Sequence, residues 1–300
     1  MSRKGGITKR RVSWPRLILI VGVAGGLTGA AIVHRGSIAD YVGGQLGLNA
    51  LGRTNTPSAP KSSKQRVEKS TGAKASPTKH STDPKSIPAS YLMHVPAQSQ
   101  FPQLANGCEV TSLSMLLTAV GHPVSKMTLA KEMPKAQAPL KLAQTTNAQG
   151  KKVNKVVSWG NPNVGFVGSV YKAGYGYGIY NGPMTKLLNK VWPGRAVNLT
   201  RQPFSAILAH VAKGVPVEVW TTLTFKPTSN WVTWNSPQGP VHATPLEHAV
   251  IIVGYSPHYL YINNPWTGQA GQKVAKAPFI AAWNQLGDQA ITVKASSKTS

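Results

Sequence analysis

The sequence predicts an α+β domain set behind a long N-terminal extension, on three observations. Apolar residues recur at helical spacing through Val110, Leu113, Leu116, Leu117 and Val120. Apolar runs bounded by turn residues gather later, at Val215–Thr222, Ala249–Gly254 and Tyr259–Asn263. The first 88 residues share neither pattern. A helix near the start and strands near the end of one folded region make α+β the matching class.

The extension divides into three parts. Residues 1–16 carry Arg3, Lys4, Lys9, Arg10, Arg11 and Arg16 and no acid. Residues 17–34 open with LILIVGVAGGLTGAAIV, which has no charged side chain. At about 1.5 Å per residue this run makes roughly 25 Å of helix, enough for a thin membrane span. The preceding basic block places the N-terminus in the cytoplasm and the rest of the chain outside. A cleaved signal peptide is the competing expectation. No A-x-A site precedes His34 and Arg35, which favours an uncleaved anchor. Residues 35–88 form a basic linker, clearest from residue 52, where Ser, Thr, Pro and Lys dominate. It has too little apolar surface to offset the entropy of ordering.

The folded domain is expected over residues 89–295. Leu92–Pro96 reads as a short strand, Cys108 to Val120 as a buried helix ended by Gly121, and Met127–Met133 as a second helix. Residues 158–183 are rich in Gly and Tyr and read as a long ordered loop. Residues 184–190 and 203–213 read as helices, followed by the strands named above.

Composition narrows the function. Thirty-three Lys+Arg against eight Asp+Glu give a net charge of +25. The domain after Pro88 shares that excess, so anionic wall polymers and lipid headgroups are favoured partners outside a cell. The predicted topology excludes nucleic acid. The single cysteine, Cys108, forms no intramolecular disulfide, so an inert buried thiol competes with a reactive one. Position favours reactivity: Asn106-Gly107-Cys108 opens a helix, whose free N–H groups and dipole favour thiolate, with Glu109 opposing slightly.

A thiolate needs a proton acceptor and a group to orient it. Among His94, His122, His210, His242, His248 and His258, only His248 begins a strand, EHAVIIVGY, followed at once by HYLYINNPW. With a turn at Tyr255-Ser256-Pro257, His248 faces Asn264, and directly opposed residues share a face. The carboxamide then fixes the imidazole tautomer. Gln98, Gln100 and Gln103 all precede the cysteine and are candidate oxyanion donors, among which spacing does not choose. One cysteine, no H-x-x-x-H and no carboxylate cluster argue against a metal, and acyl transfer by a Cys-His pair needs no cofactor.

The segments QFPQLANGCEVTSLSMLL, GVPVEVW and HAVIIVGY…INNPW together resemble stand-alone relatives of peptidase family C39, which includes peptidases that trim double-glycine leaders. The resemblance spans about residues 90–290. It implies a papain-like fold in which Cys108 is the nucleophile, His248 the base, Asn264 the orienting residue and Gln100 the oxyanion donor. The family commonly has Asp-Pro where this chain has Asn264-Pro265; papain-type sites use Asn in that role. The expected function is therefore extracytoplasmic, membrane-anchored hydrolysis of a peptide bond in a peptide or protein substrate, without cofactor or metal. Two alternatives stand beside it: an amidase for peptidoglycan stem peptides, and a surface-binding module with a degenerate site, its Tyr-rich stretch lining a groove.

Overall fold

The computed structural model describes residues 87–147 and 150–295. The segments 1–16 and 17–34 and nearly all of 35–88 lie outside the described residues, as do the expectations of anchor and linker. Among the described residues, no helix is long and apolar enough to cross a membrane.

In chain order the elements are β1 (Tyr91–Leu92), α1 (Cys108–Ala119), α2 (Lys126–Glu132), β2 (Lys135–Ala136), β3 (Lys141–Thr146), β4 (Lys152–Ser158), β5 (Phe166–Val167), α3 (Asn181–Val191), β6 (Ala196–Asn198), α4 (Phe204–Ala212), β7 (Val217–Thr222), β8 (Val232–Ser236), β9 (Gly239–Ala243), β10 (Glu247–Tyr255), β11 (Tyr259–Asn264), β12 (Gln269–Ala275), α5 (Lys276–Gln285) and β13 (Ala290–Val293). The principal sheet runs β12-β11-β10-β7-β13-β6, with β1 paired to the end of β10, and all its pairings are antiparallel. A smaller sheet, β3-β4-β8-β9, and the parallel pair β2-β5 lie apart from it.

Strand β10 is buried along its whole length, because both faces of the sheet are covered. Ala249, Ile251 and Val253 join the core formed with Leu113, Leu117 and Trp220, on the side of α1 and α3. Val250, Ile252 and Tyr255 join Ile207, Val211, Phe279 and Trp283, contributed by α4 and α5. Two-sided burial accounts for the unbroken apolar run AVIIV. Helix α1 is likewise buried from Cys108 through Leu117, on every side, as a core helix must be. Its last turn closes at Gly121, whose φ of 77° suits glycine.

The expected helices and late strands appear within a few residues of their predicted ends, and α2 is capped by Ser125 Oγ accepting from Thr128 N. The first strand is shorter than expected, two residues rather than five, because it pairs only with Tyr255 and Gly254. The segment 158–183 contains β5 and the start of α3. The β3-β4-β8-β9 sheet had no counterpart among the expectations: β3 is exposed throughout, so no buried face writes an alternating pattern into it.

Adjacent asparagines in β11 do different work. Asn263 is fully buried; its Nδ2 donates to Val95 O at 2.8 Å and its Oδ1 accepts from Gly271 N at 2.9 Å, tying the hairpin to the segment before the cysteine. Replacing it by Ala strands the buried Val95 carbonyl and a half-buried N–H at Gly271, so Asn263→Ala is expected to cost about 2–4 kcal/mol. Urea unfolding measures it; a loss below about 0.5 kcal/mol would contradict this account.

Candidate active site

Cys108 is the first residue of α1 and follows Gly107, which supplies no side-chain cap. The helix is held against β10 by Ser112 Oγ donating to Ala249 O at 3.2 Å. That contact sets the start of the helix beside the start of the strand. Gln100, Cys108, Glu247, His248 and Trp266 consequently line one pocket, walled on another side by Gly176 and Tyr177. The Gly/Tyr-rich segment is tied to the cysteine turn by Asn106 Nδ2, which donates to Ser169 O and Lys172 O.

His248 Nε2 lies 2.9 Å from Asn264 Oδ1. The register that joins them differs from the predicted one. The turn occupies 256–258, Tyr255 pairs with Leu260, Ile251 pairs with Asn263, and a bulge falls between Ile252 and Gly254. Continued one step, this places Asn264 across from Val250, two residues from His248. An offset of two preserves the face, so the pair meets diagonally instead of directly.

The carboxamide orientation follows from its other partners. Asn264 Oδ1 also accepts from Trp266 N at 3.0 Å, and Nδ2 donates to Gln272 Oε1 at 2.8 Å. With an oxygen facing it, His248 Nε2 must be the protonated nitrogen, which leaves Nδ1 with the lone pair. Burial pushes the imidazole down to about 4, opposed by the Asn264 bond, so it rests neutral.

The three glutamines separate in space. Gln100 is buried and lines the cysteine pocket, with Nε2 donating to Ala105 O at 3.0 Å. Its backbone N–H reaches Pro265 O, which ties this arm to the Asn264 turn. Gln98 is engaged with Ser114, and Gln103 accepts from Lys126.

Two expectations need correction. The sequence contains no compact carboxylate motif, yet the fold gathers Glu109, Glu218 and Glu247 in its interior. Cys108 Sγ and a carboxyl oxygen from each of Glu109 and Glu247 lie within 4.8 Å of one another. Glu109 Oε1 and Glu247 Oε2 both crowd Gly178, where a Cβ would stand 2.6 and 2.9 Å from them. The thiol is also not lowered by its helix end. Its hydrogen bond goes to Glu109 Oε2 at 3.3 Å, not to the imidazole. Burial, then the charges of Glu109 and Glu247, push the Cys108 thiol well above its ordinary range; the Ala249 N–H opposes them. Burial pushes Glu109 up to about 7 and raises Glu218 and Glu247 in the same direction. The overlooked signal was an acid inside an apolar strand, in VPVEVW and EHAVI, within a domain that has only five acids.

The sequence pattern of the Peptidase C39-like family matches residues 92–291. The chain belongs to that family. It is 38% identical over 197 residues to the uncharacterized protein YvpB of Bacillus subtilis (strain 168), covering 66% of this chain and 72% of that one. A crystal structure from Bacillus anthracis, provisionally designated a C39-like peptidase, superposes with a TM-score of 0.60 at 37% identity; the match covers 70% of this chain and 99% of that one. The mixed helix-and-sheet fold of the C39-like peptidases is thus the fold of this domain.

The buried carboxyls predict an inverted pH response. Folded Glu109 holds its proton up to about 7, whereas an unfolded carboxyl loses it near 4.5. Its contribution is full at low pH and is lost as pH rises through 7, and Glu218 and Glu247 act in the same sense. His248 works oppositely, contributing above its ordinary 6.5 and losing that as pH falls toward 4. Three carboxyls outweigh one imidazole. Unfolding free energy is expected to fall between about pH 5 and 8, by urea melts, with a flatter slope in Glu109→Gln. A rising slope in both proteins would refute the assignment.

Proposed function

We propose that this chain is a membrane-anchored, extracytoplasmic cysteine peptidase that cleaves a peptide bond through Cys108, His248 and Asn264, with Gln100 serving the oxyanion. The observation that carries this reading is the His248–Asn264 hydrogen bond, in a pocket shared with a cysteine at a helix N-terminus. It leaves His248 Nδ1 as the proton-accepting nitrogen, which is what a thiol nucleophile requires.

In the proposed sequence, the Cys108 proton passes to Nδ1 and Sγ adds to the scissile carbonyl carbon. The Cys108 backbone N–H and the Gln100 N–H not engaged with Ala105 face the developing oxyanion. Collapse expels the amine, which takes the proton from His248 and leaves a thioester on Cys108. Water then gives a proton to His248 and adds to the thioester, releasing the acid and the reprotonated thiol. Asn264 holds the ring throughout. No metal or cofactor enters these steps.

The basic residues 1–16 ahead of an uncharged run support the anchored, outward topology. Burial of three of the five domain acids leaves an outer surface dominated by Lys and Arg, which suits an anionic wall or headgroup surface as a partner. A surface-binding module is the second reading, favoured by one observation: the resting thiol engages Glu109 and not His248.

Labelling of the full chain with an epoxide or vinyl-sulfone peptide decides between them. Because Cys108 is the only cysteine, Cys108→Ala is expected to abolish labelling, and His248→Ala to slow it by about 10²–10⁴-fold. Gln100→Ala is expected to cost about 10²–10³ in turnover once a peptide substrate is found. A folded, reduced chain that labels at the same rate with and without His248 would favour the binding module.

A further inference from the structure

We propose that Glu109 controls the ionisation of Cys108: as a carboxylate it retains the thiol proton, and as a neutral acid it becomes a donor to Sγ and releases the nucleophile. This deepens the peptidase reading by assigning its nucleophile a regulatory partner, but it is argued from the resting geometry of the thiol.

Glu109 is fixed in place. Its Oε1 accepts from Ile179 N at 2.8 Å while its Oε2 takes the Cys108 hydrogen bond at 3.3 Å, so the carboxyl cannot swing away without breaking a buried bond. The surroundings add negative charge and no positive charge. From β10 come Glu247, whose Oε1 is buried without a hydrogen-bond partner, and the neutral His248. From β7 comes Glu218, with both carboxyl oxygens unpartnered. From the segment before α3 come Tyr177 and Tyr180, bonded to each other at 2.7 Å and both raised by burial. Among the described residues no Lys or Arg is buried. Like charges this close in a dry interior are relieved by retaining protons, so the cluster holds protons at a pH where surface carboxyls are bare. Every added negative charge in it then opposes a thiolate at Cys108. The pair therefore has two hydrogen-bonding states, S–H donating to carboxylate and COOH donating to sulfur, exchanged by one proton.

The test is the pH dependence of Cys108 alkylation by iodoacetamide in the full chain, which reads a single thiol and needs no turnover. A failure of the peptidase reading would leave it intact. In the wild type, log rate against pH is expected to rise with a slope below one between about pH 6 and 8, because ionising Glu109 lifts the thiol as pH rises. Glu109→Gln keeps an acceptor for Ile179 N and presents an amide donor to Sγ. It is expected to react about tenfold faster at pH 8 and to converge on the wild type below about pH 6. Glu247→Gln is expected to shift the curve in the same direction by less. A wild-type slope of one, a Glu109→Gln rate equal to or below the wild type at pH 8, or a wild-type curve that changes with a chelator would each overturn the proposal. The last outcome would mean that a metal on Cys108, Glu109 and Glu247, and not protons, balances the cluster.

Discussion

The site depends on one contact, the N-terminal turn of α1 laid against the start of β10. The helix is buried from Cys108 through Leu117, and it lies against β10, a strand that is itself buried along its whole length. Enclosing the helix carries its first residues inward as well. Adjacent residues on a fully buried helix have no solvent face to choose, so Cys108 and Glu109 enter the core together. The same contact seals the pocket on which Gln100 and Trp266 converge from the segments flanking it.

A comparison of magnitudes explains why the thiol is raised and not lowered. A helix N-terminus offers a charge about 0.3–1 kcal/mol at an exposed site. Removing a charge from water costs several kcal/mol, and nearby carboxylates add to the penalty. At Cys108 burial and the two glutamates act in one direction, with the Ala249 N–H and the helix end opposing. The resting site is therefore neutral at sulfur and at imidazole. The exterior shows the opposite sign, because acids sequestered inside cannot balance the lysines outside.

Asn264 suits this environment better than an aspartate would. The ring must be held by an acceptor at Nε2, and either side chain supplies one. An aspartate would place a further negative charge beside an interior that already holds three carboxyls. A carboxamide adds none, and its donor end finds Gln272 while Trp266 N–H fixes its acceptor end. The result is a ring whose tautomer is set by neutral hydrogen bonds.

The sequence by itself determined what short-range chemistry controls. Helical spacing marked α1, the apolar run marked β10, and the Gly-Cys step placed the cysteine at a helix start. The identity of the strand-borne histidine and of its asparagine partner also followed from local pattern, since a face in a hairpin depends only on whether the offset is odd or even. The register did not follow: a bulge and a later turn shifted it by two, and parity alone preserved the pairing. Tertiary structure decided the rest. It set Gln100, the glutamine that the family resemblance implies, apart from the other two by burying it beside the cysteine, and it built a second sheet whose strands bury at most two residues each and whose outer strand β3 buries none. It also brought Glu109 together with Glu218 and Glu247, which lie more than a hundred residues further along the chain. No local pattern encodes that meeting, because the charge state of a buried group depends on what surrounds it in space, and its sequence neighbours supply only part of those surroundings.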